Sequence, residues 1–155
     1  MKANNVTRML DARKISYEAY ELPADKRGAV EAADLLEMPP ECVFKTIVVT
    51  RVIKGKPILA VVPGPKDVNL KALANALGEK KLVLPTEREA ERLTGLQAGG
   101  ISPLALINRG FQVVVDVSAQ GLGEIIISGG ERGLNIRLSV ESLVGLTNAR
   151  VAEIS

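Results

Sequence analysis

The sequence predicts an α+β fold: a curved, mixed, mostly antiparallel sheet, barrel-like, with helices packed around it. Three observations predict it. Helical and strand-like segments are interleaved along the 155 residues without strict strand–helix alternation. The strongest strand is followed at once by a second one across a short turn, which marks a hairpin rather than a parallel crossover. The remaining β-branched runs are short and bounded by glycine or polar residues, as strands of a small sheet are. No linker, low-complexity tract or internal repeat interrupts the chain, so one domain spanning 1–155 is expected.

Each element follows from a local signal. Asn4 or Asn5 caps a helix running to about Lys14, with Val6, Met9, Leu10 and Arg13 at helical spacing. Ser16 to Glu21 alternates and carries Tyr17 and Tyr20, so it reads as a strand. Ala29 to Met38 reads as a second helix, ended by Pro39-Pro40. Phe44 to Val52 is the strongest strand and is expected near the centre of the sheet. Lys54-Gly55 offers a turn, and Ile58 to Val62 returns antiparallel before Pro63-Gly64-Pro65 breaks the pattern. Asn69 caps a helix through Leu77, with Gly78 just past its end. Lys81 to Leu84 is a short strand, and Thr86 to Glu89 is a capping-box pattern opening a helix to about Leu93. A long loop runs from Gly95 to Pro103. Val113 to Val117 and Glu124 to Ile127 are strands. Gly129 to Gly133 turns into a strand from Leu134 to Leu138, and Ser139 caps a last helix through Leu146.

Composition removes several classes of chemistry. With 46% hydrophobic and 25% charged residues but only 3% aromatics, the chain fills its core with Val, Ile, Leu and Ala. It has no histidine, which excludes histidine-based triads and imidazole zinc sites, and its one cysteine, Cys42, cannot build a thiolate zinc site. No GxxxxGK[ST] or GxGxxG phosphate loop occurs. No cofactor and no metal are expected. The net charge of +2 is compatible with an RNA partner without pointing to one. No apolar run spans a membrane, and the lone cysteine and the absence of an apolar leader make a cytoplasmic location the expectation.

Three segments can carry chemistry. Alternation puts Lys45, Ile47 and Val49 on one face of the strong strand and Phe44, Thr46 and Val48 on the other. Lys45 would then stand at the mouth of an apolar surface, placed to bind an anion or a polarised carbonyl. A lysine at a strand end that snorkels into water is the alternative. Gly99-Gly100 before Ile101-Ser102-Pro103 is a turn with unshielded backbone whose N–H groups could hold an ester carbonyl, or an ordinary surface turn. Ser128-Gly129-Gly130 and Gly133 could form a second wall of the same pocket, with Arg132 free to meet phosphate, or a plain hairpin loop. Cys42 has no base to activate it and reads as an inert thiol. Lys54, Lys56, Lys80, Lys81, Arg88, Arg92, Arg132 and Arg137 lie among glutamates, so a mixed solvated surface is expected there.

The joint order of Phe44-Lys45-Thr46, Gly99-Gly100-Ile101-Ser102-Pro103 and Ser128-Gly129-Gly130-Glu131-Arg132-Gly133-Leu134 resembles the YbaK family of aminoacyl-tRNA editing domains, from about Lys14 to Ala152. The resemblance implies a deacylase that hydrolyses the ester of mischarged tRNA, foremost Cys-tRNA(Pro). Ala-tRNA(Pro), another small mischarged amino acid, or a non-catalytic aminoacyl-tRNA-binding role are the alternatives. It implies Lys45 as the essential lysine and Tyr20, Thr46, Gly99, Gly100, Ile101, Ser102, Pro103, Ser128 and Asn135 as substrate-binding residues. Asn135 stands where some members carry aspartate, and Arg27 falls near a position where some carry an aromatic residue. The implied partners are the acceptor end of mischarged tRNA and prolyl-tRNA synthetase.

Overall fold

Among the residues that the computed structural model describes, 3–53 and 55–155, the chain forms eight strands and six helices. The strands are β1 (Tyr17–Glu21), β2 (Phe44–Arg51), β3 (Ile58–Pro63), β4 (Leu82–Val83), β5 (Gln112–Asp116), β6 (Glu124–Ser128), β7 (Leu134–Ser139) and β8 (Arg150–Ala152). The helices are α1 (Asn5–Ala12), α2 (Ala29–Leu35), α3 (Leu70–Leu77), α4 (Glu87–Thr94), α5 (Ser118–Leu122) and α6 (Val140–Thr147). Short 3-10 turns cover Pro40–Cys42 and Pro103–Leu106. The helix starts are where the capping residues put them. Asn4, Asn69, Thr86 and Ser139 each accept a backbone N–H from the first turn of their helix. Of the expected Lys54-Gly55 turn, Lys54 lies outside the described residues. Helix α5 and strand β8 carry no clear sequence signal: α5 is five residues long with a glycine inside it, and β8 is three residues long.

The strands form two sheets. The smaller has the order β1-β7-β6 and is antiparallel throughout. The larger has the order β4-β2-β3-β5-β8. In it β2 pairs antiparallel with β3 and β4, while β3–β5 and β5–β8 are parallel. Those two parallel pairings arise because the chain leaves β3 and β5 through helices before returning, which only a crossover allows. The curved, mostly antiparallel arrangement agrees with the sequence, but the sheet is not closed. Among the described residues a single parallel bridge, between Val43 and Ile126, joins the two sheets, and beyond it they part.

Burial explains the layers. Phe44, Val48, Leu59 and Val61 face Ile125, Ile127, Ile136 and Leu138 in the core between the sheets. On the far face of the larger sheet, Val49, Ile58, Ala60 and Val62 pack against Leu73 and Ala74 of α3. β3 is therefore buried on both faces, which is why its sequence is a continuous apolar run rather than an alternating one. A third cluster sets Ala32 and Ala33 of α2 over Val43 and Ile126, at the bridge itself. At the other end of the sheet, the buried Asp116 (3% exposed) accepts hydrogen bonds from the Ser118 hydroxyl at 2.5 Å and the Ile154 N–H at 2.9 Å. Burial alone would raise the Asp116 pKa. The hydrogen bonds outweigh that effect, and the net displacement is downward.

Candidate active site

A cleft of about 400 Å³ opens where β2 and β6 part. On one side it is lined by consecutive residues of β2 and its lead-in, Val43 to Val48. Consecutive lining is the signature of a strand edge rather than of a strand face. β3 occupies the opposite edge from Phe44 to Val49, and β4 pairs only with Thr50 and Arg51. Between the Val43 bridge and Thr50 no strand among the described residues covers this edge. Ser128, at the end of β6, and Asn135, its partner on β7, form the facing wall. Lys45 and Ser128 each lie two residues beyond the bridge, one on either side of the split.

Lys45 is held rather than free. Its ammonium donates to the Gly64 carbonyl at 3.1 Å and lies 3.8 Å from the exposed carboxylate of Asp67. Gly64 is in turn fixed to β2, its N–H donating to the Val43 carbonyl at 2.8 Å. The side chain stays 29% exposed, and an ammonium has three donors, so capacity for a ligand remains. Thr46, beside it, has a buried hydroxyl oxygen with no hydrogen-bond partner among the described residues. A buried hydroxyl in a cleft wall that no protein group satisfies is one that water or a ligand can satisfy.

The Gly95–Pro103 loop divides into a front and a back. Gly99 and Ile101 line the cleft, with Gly99 in the left-handed region at φ +87°. Gly100, Ser102 and Pro103 stand behind them. The Gly100 N–H is spent on the Gln97 carbonyl at 2.8 Å, so it does not point at a ligand. Gly100 is glycine for proximity: a Cβ there would lie 2.9 Å from the backbone of Glu131 and Arg132. The buried Ser102 accepts the Leu104 N–H and caps the turn that Pro103 begins. Arg132 has a structural tie of its own. Its Nε donates to the Ala98 carbonyl at 2.7 Å and ties the two glycine loops together.

Ser128, Asn135 and Tyr20 sit opposite one another across the small sheet, and so on one face of it. Ser128 and Asn135 reach the cleft. Tyr20, on the outer strand, does not line it; it packs against the α2 cluster, and its hydroxyl donates to Glu18 at 2.9 Å. Gly133 closes this end. Its carbonyl accepts the Leu22 N–H at 2.7 Å, and at φ +88° a Cβ would come within 2.4 Å of the Leu22 carbonyl oxygen. Cys42, in the 3-10 turn before β2, is a free thiol outside the cleft wall. Among the described residues no three His, Cys, Asp or Glu gather as metal ligands.

Part of the wall carries no spacing signal, and of it the family resemblance marks only Arg27, near a position where some members carry an aromatic residue. Arg27 lines the cleft with its side chain only 12% exposed, donating to the Pro23 carbonyl and to Asp25. Leu84 and Pro85 line it from the segment between β4 and α4. No spacing rule marks these positions, because they are brought in by tertiary packing. The surface basic residues are partly paired, as their neighbouring glutamates suggest: Arg92 with Glu89, and Arg137 with Glu124 at 3.3 Å.

Comparison with known proteins adds independent information. Residues 24–146 match the aminoacyl-tRNA editing domain family. The chain is 36% identical over 153 residues to EbsC of Enterococcus faecalis, named as a candidate Cys-tRNA(Pro)/Cys-tRNA(Cys) deacylase, covering 97% of this chain and 92% of that protein. It is 31% identical over 120 residues to the proline–tRNA ligase of Geobacter metallireducens, covering 77% of this chain but only 20% of the ligase. A solved structure of a hypothetical protein, APE2540, superposes with a TM-score of 0.88 at 27% identity, covering 97% of this chain and 99% of the other. Another, described as a candidate trans-editing enzyme for prolyl-tRNA synthetase, superposes with a TM-score of 0.80 at 26% identity, covering 99% of both chains.

Proposed function

We propose that this chain, which belongs to the aminoacyl-tRNA editing domain family, acts over its whole length, 1–155, as a trans-acting deacylase that hydrolyses the ester of mischarged tRNA, with Cys-tRNA(Pro) as its substrate. The observation that carries the reading is convergence. Lys45, Thr46, Gly99, Ile101, Ser128 and Asn135 come from four separate stretches of sequence and line one cleft, where the Thr46 hydroxyl has no hydrogen-bond partner among the described residues.

The cleft suits an amino-acid ester. Lys45 supplies a charge-assisted hydrogen bond to the substrate from a position the Gly64 carbonyl sets. The backbone of Gly99 and Ile101 orients and polarises the ester carbonyl. Asn135 and Ser128 offer oxygen acceptors for the substrate's ammonium group. With a cysteinyl ester no protein nucleophile is needed. The substrate's sulfur attacks its own carbonyl carbon, a C–S bond forms, and the ester C–O bond breaks. The ribose oxygen leaves with the thiol proton, and water then opens the thiolactone to free cysteine. Proximity within one molecule drives the first step. Gly100, Ser102, Pro103 and Tyr20 then act as supports of the wall rather than as contacts.

No helix among the described residues is long and apolar enough to cross a membrane. We place the protein in the cytoplasm beside the translation machinery, with prolyl-tRNA synthetase as the partner that would hand over the tRNA. Deacylation of purified Cys-tRNA(Pro), Ser-tRNA(Pro) and Ala-tRNA(Pro) by the full chain tests the reading. Cys-tRNA(Pro) should be cleaved much faster than the serine analogue, since a hydroxyl is the weaker nucleophile. Equal rates for the two would remove thiol assistance, and no cleavage of any of the three would remove the deacylase reading.

A further inference from the structure

One stretch of the cleft rim matches nothing in an amino-acid ester. Val83, Leu84 and Pro85 run from the end of β4 to the cap of α4, and Leu84 and Pro85 line the cleft. Leu84 is 49% exposed and Val83 is 41% exposed. On the α2 side the exposed Val30 follows Ala29, another lining residue. Large aliphatic side chains left in water next to a cleft mark a contact surface more than a single exposed leucine does. The Lys26–Glu87 ion pair at 2.5 Å ties the segment before α2 to the first turn of α4, and both partners are about half exposed. An ion pair so exposed is a weak tie, which a ligand can part at little cost.

The occupant follows from covalent continuity with the ester site. The aminoacyl ester of any tRNA is carried on the ribose of a terminal adenosine, so the adenine base lies one sugar away from the reacting carbonyl. Resting on the deacylase reading above, we infer that Leu84 and Pro85 form the wall against which that terminal adenine lies. The chain has two phenylalanines and two tyrosines, and of these only Phe44, buried beneath the cleft, touches it. An aliphatic wall takes the place of an aromatic platform here. It reads the flat face and size of a base, without a hydrogen-bond code. Such a subsite adds the same affinity for every tRNA, so the choice among tRNAs falls to contacts outside the cleft.

Leu84→Gln keeps the size of the side chain and removes its apolar surface; Leu84→Phe enlarges that surface. Two substrates separate base from ester: 3′-O-cysteinyl adenosine and cysteine methyl ester. Leu84→Gln should raise KM about fivefold for the adenosine ester, the effect of losing roughly half a buried leucine, with kcat unchanged. Leu84→Phe should lower that KM. Both changes should move the methyl ester's kinetics far less than the adenosine ester's. Independently of turnover, an NMR titration should show AMP binding more tightly than ribose 5-phosphate, and Leu84→Gln should erase the difference. Equal effects on both esters, no effect on either, or equal affinity for AMP and ribose 5-phosphate would overturn the inference. A wild-type chain that prefers AMP in this way but hydrolyses neither these esters nor the mischarged tRNAs keeps the base subsite and removes the deacylase reading instead.

Discussion

The two edges of β2 have opposite fates. Along one, β3 pairs with it residue for residue from Phe44 to Val49, and every residue of β3 is buried. Along the other, pairing begins with the single Val43–Ile126 bridge, lapses, and resumes only at Thr50. The sealed edge holds the molecule together. The open edge keeps the backbone groups and side chains that a sheet would otherwise consume. The site is therefore an interruption in pairing rather than an addition to a finished fold, and the two edges should respond differently to substitution.

The largest effect belongs to the sealed edge. Ile58, fully buried opposite Val49, should lose about 2–5 kcal/mol of stability on change to Ala, read as a shift of the denaturation midpoint. The kcat of the surviving folded fraction should stay close to wild type. A matching collapse of kcat would mean the two edges are not separable.

Lys45→Ala probes the open edge. Its deacylation rate should fall by the equivalent of about 1.5–3 kcal/mol of transition-state stabilisation, while the melting temperature stays near that of the wild type. Lys45→Arg should also be poor, because a planar guanidinium does not replace a compact ammonium against the Gly64 carbonyl. Full activity in Lys45→Ala would end the role given to this residue.

A pH series sharpens the same contrast at the far end of the sheet. The folded pKa of Asp116 lies below its unfolded value, so its contribution to stability is present above about pH 4, the ordinary carboxylate range. That contribution is lost as pH falls through the lower folded value. Asp116→Asn, removing charge-assisted bonds from Ser118 and Ile154, should cost about 1.5–3 kcal/mol at neutral pH and flatten the acid limb of the stability curve. An unchanged acid limb would show that other carboxylates set it. The smallest effect, of opposite sign, is expected at Thr46. Thr46→Val removes an unpartnered buried hydroxyl and should raise stability by about 1 kcal/mol while slowing deacylation. Lower stability with full activity would show the hydroxyl to be satisfied in solution and idle in the reaction.

The sealed edge was legible in the sequence and the open one was not. Strand β2 is a run rich in β-branched residues, β3 is a continuous apolar run, and a turn signal separates them, so the hairpin follows from local rules. That β3 then pairs in parallel with β5 depends on where the intervening helices pack, which no local pattern encodes. The glycine loops were visible as loops, but not which residue faces the cleft. Gly99 and Gly100 look alike in sequence, yet one lines the site and the other lets two backbones approach. Arg132, read as a candidate for phosphate, spends its Nε on the Ala98 carbonyl, a contact across 34 positions of sequence. Arg27 and Leu84 reach the wall only through the packing of the segments that carry them.

A strand edge without a partner is also an invitation to a second chain. Exposed edges template intermolecular pairing, and proteins that keep one must obstruct it. Here the obstruction is the site's own surroundings: the segment before α2, the Leu84-Pro85 stretch and the Gly99 loop all crowd the β2 edge. Room for a substrate and protection from self-association are thus set by the same few loops. The space must admit an amino-acid ester while refusing an extended polypeptide. Evolution toward a bulkier substrate would therefore meet a solubility limit as well as a catalytic one, since each widening of the cleft uncovers more of a strand that other strands can join.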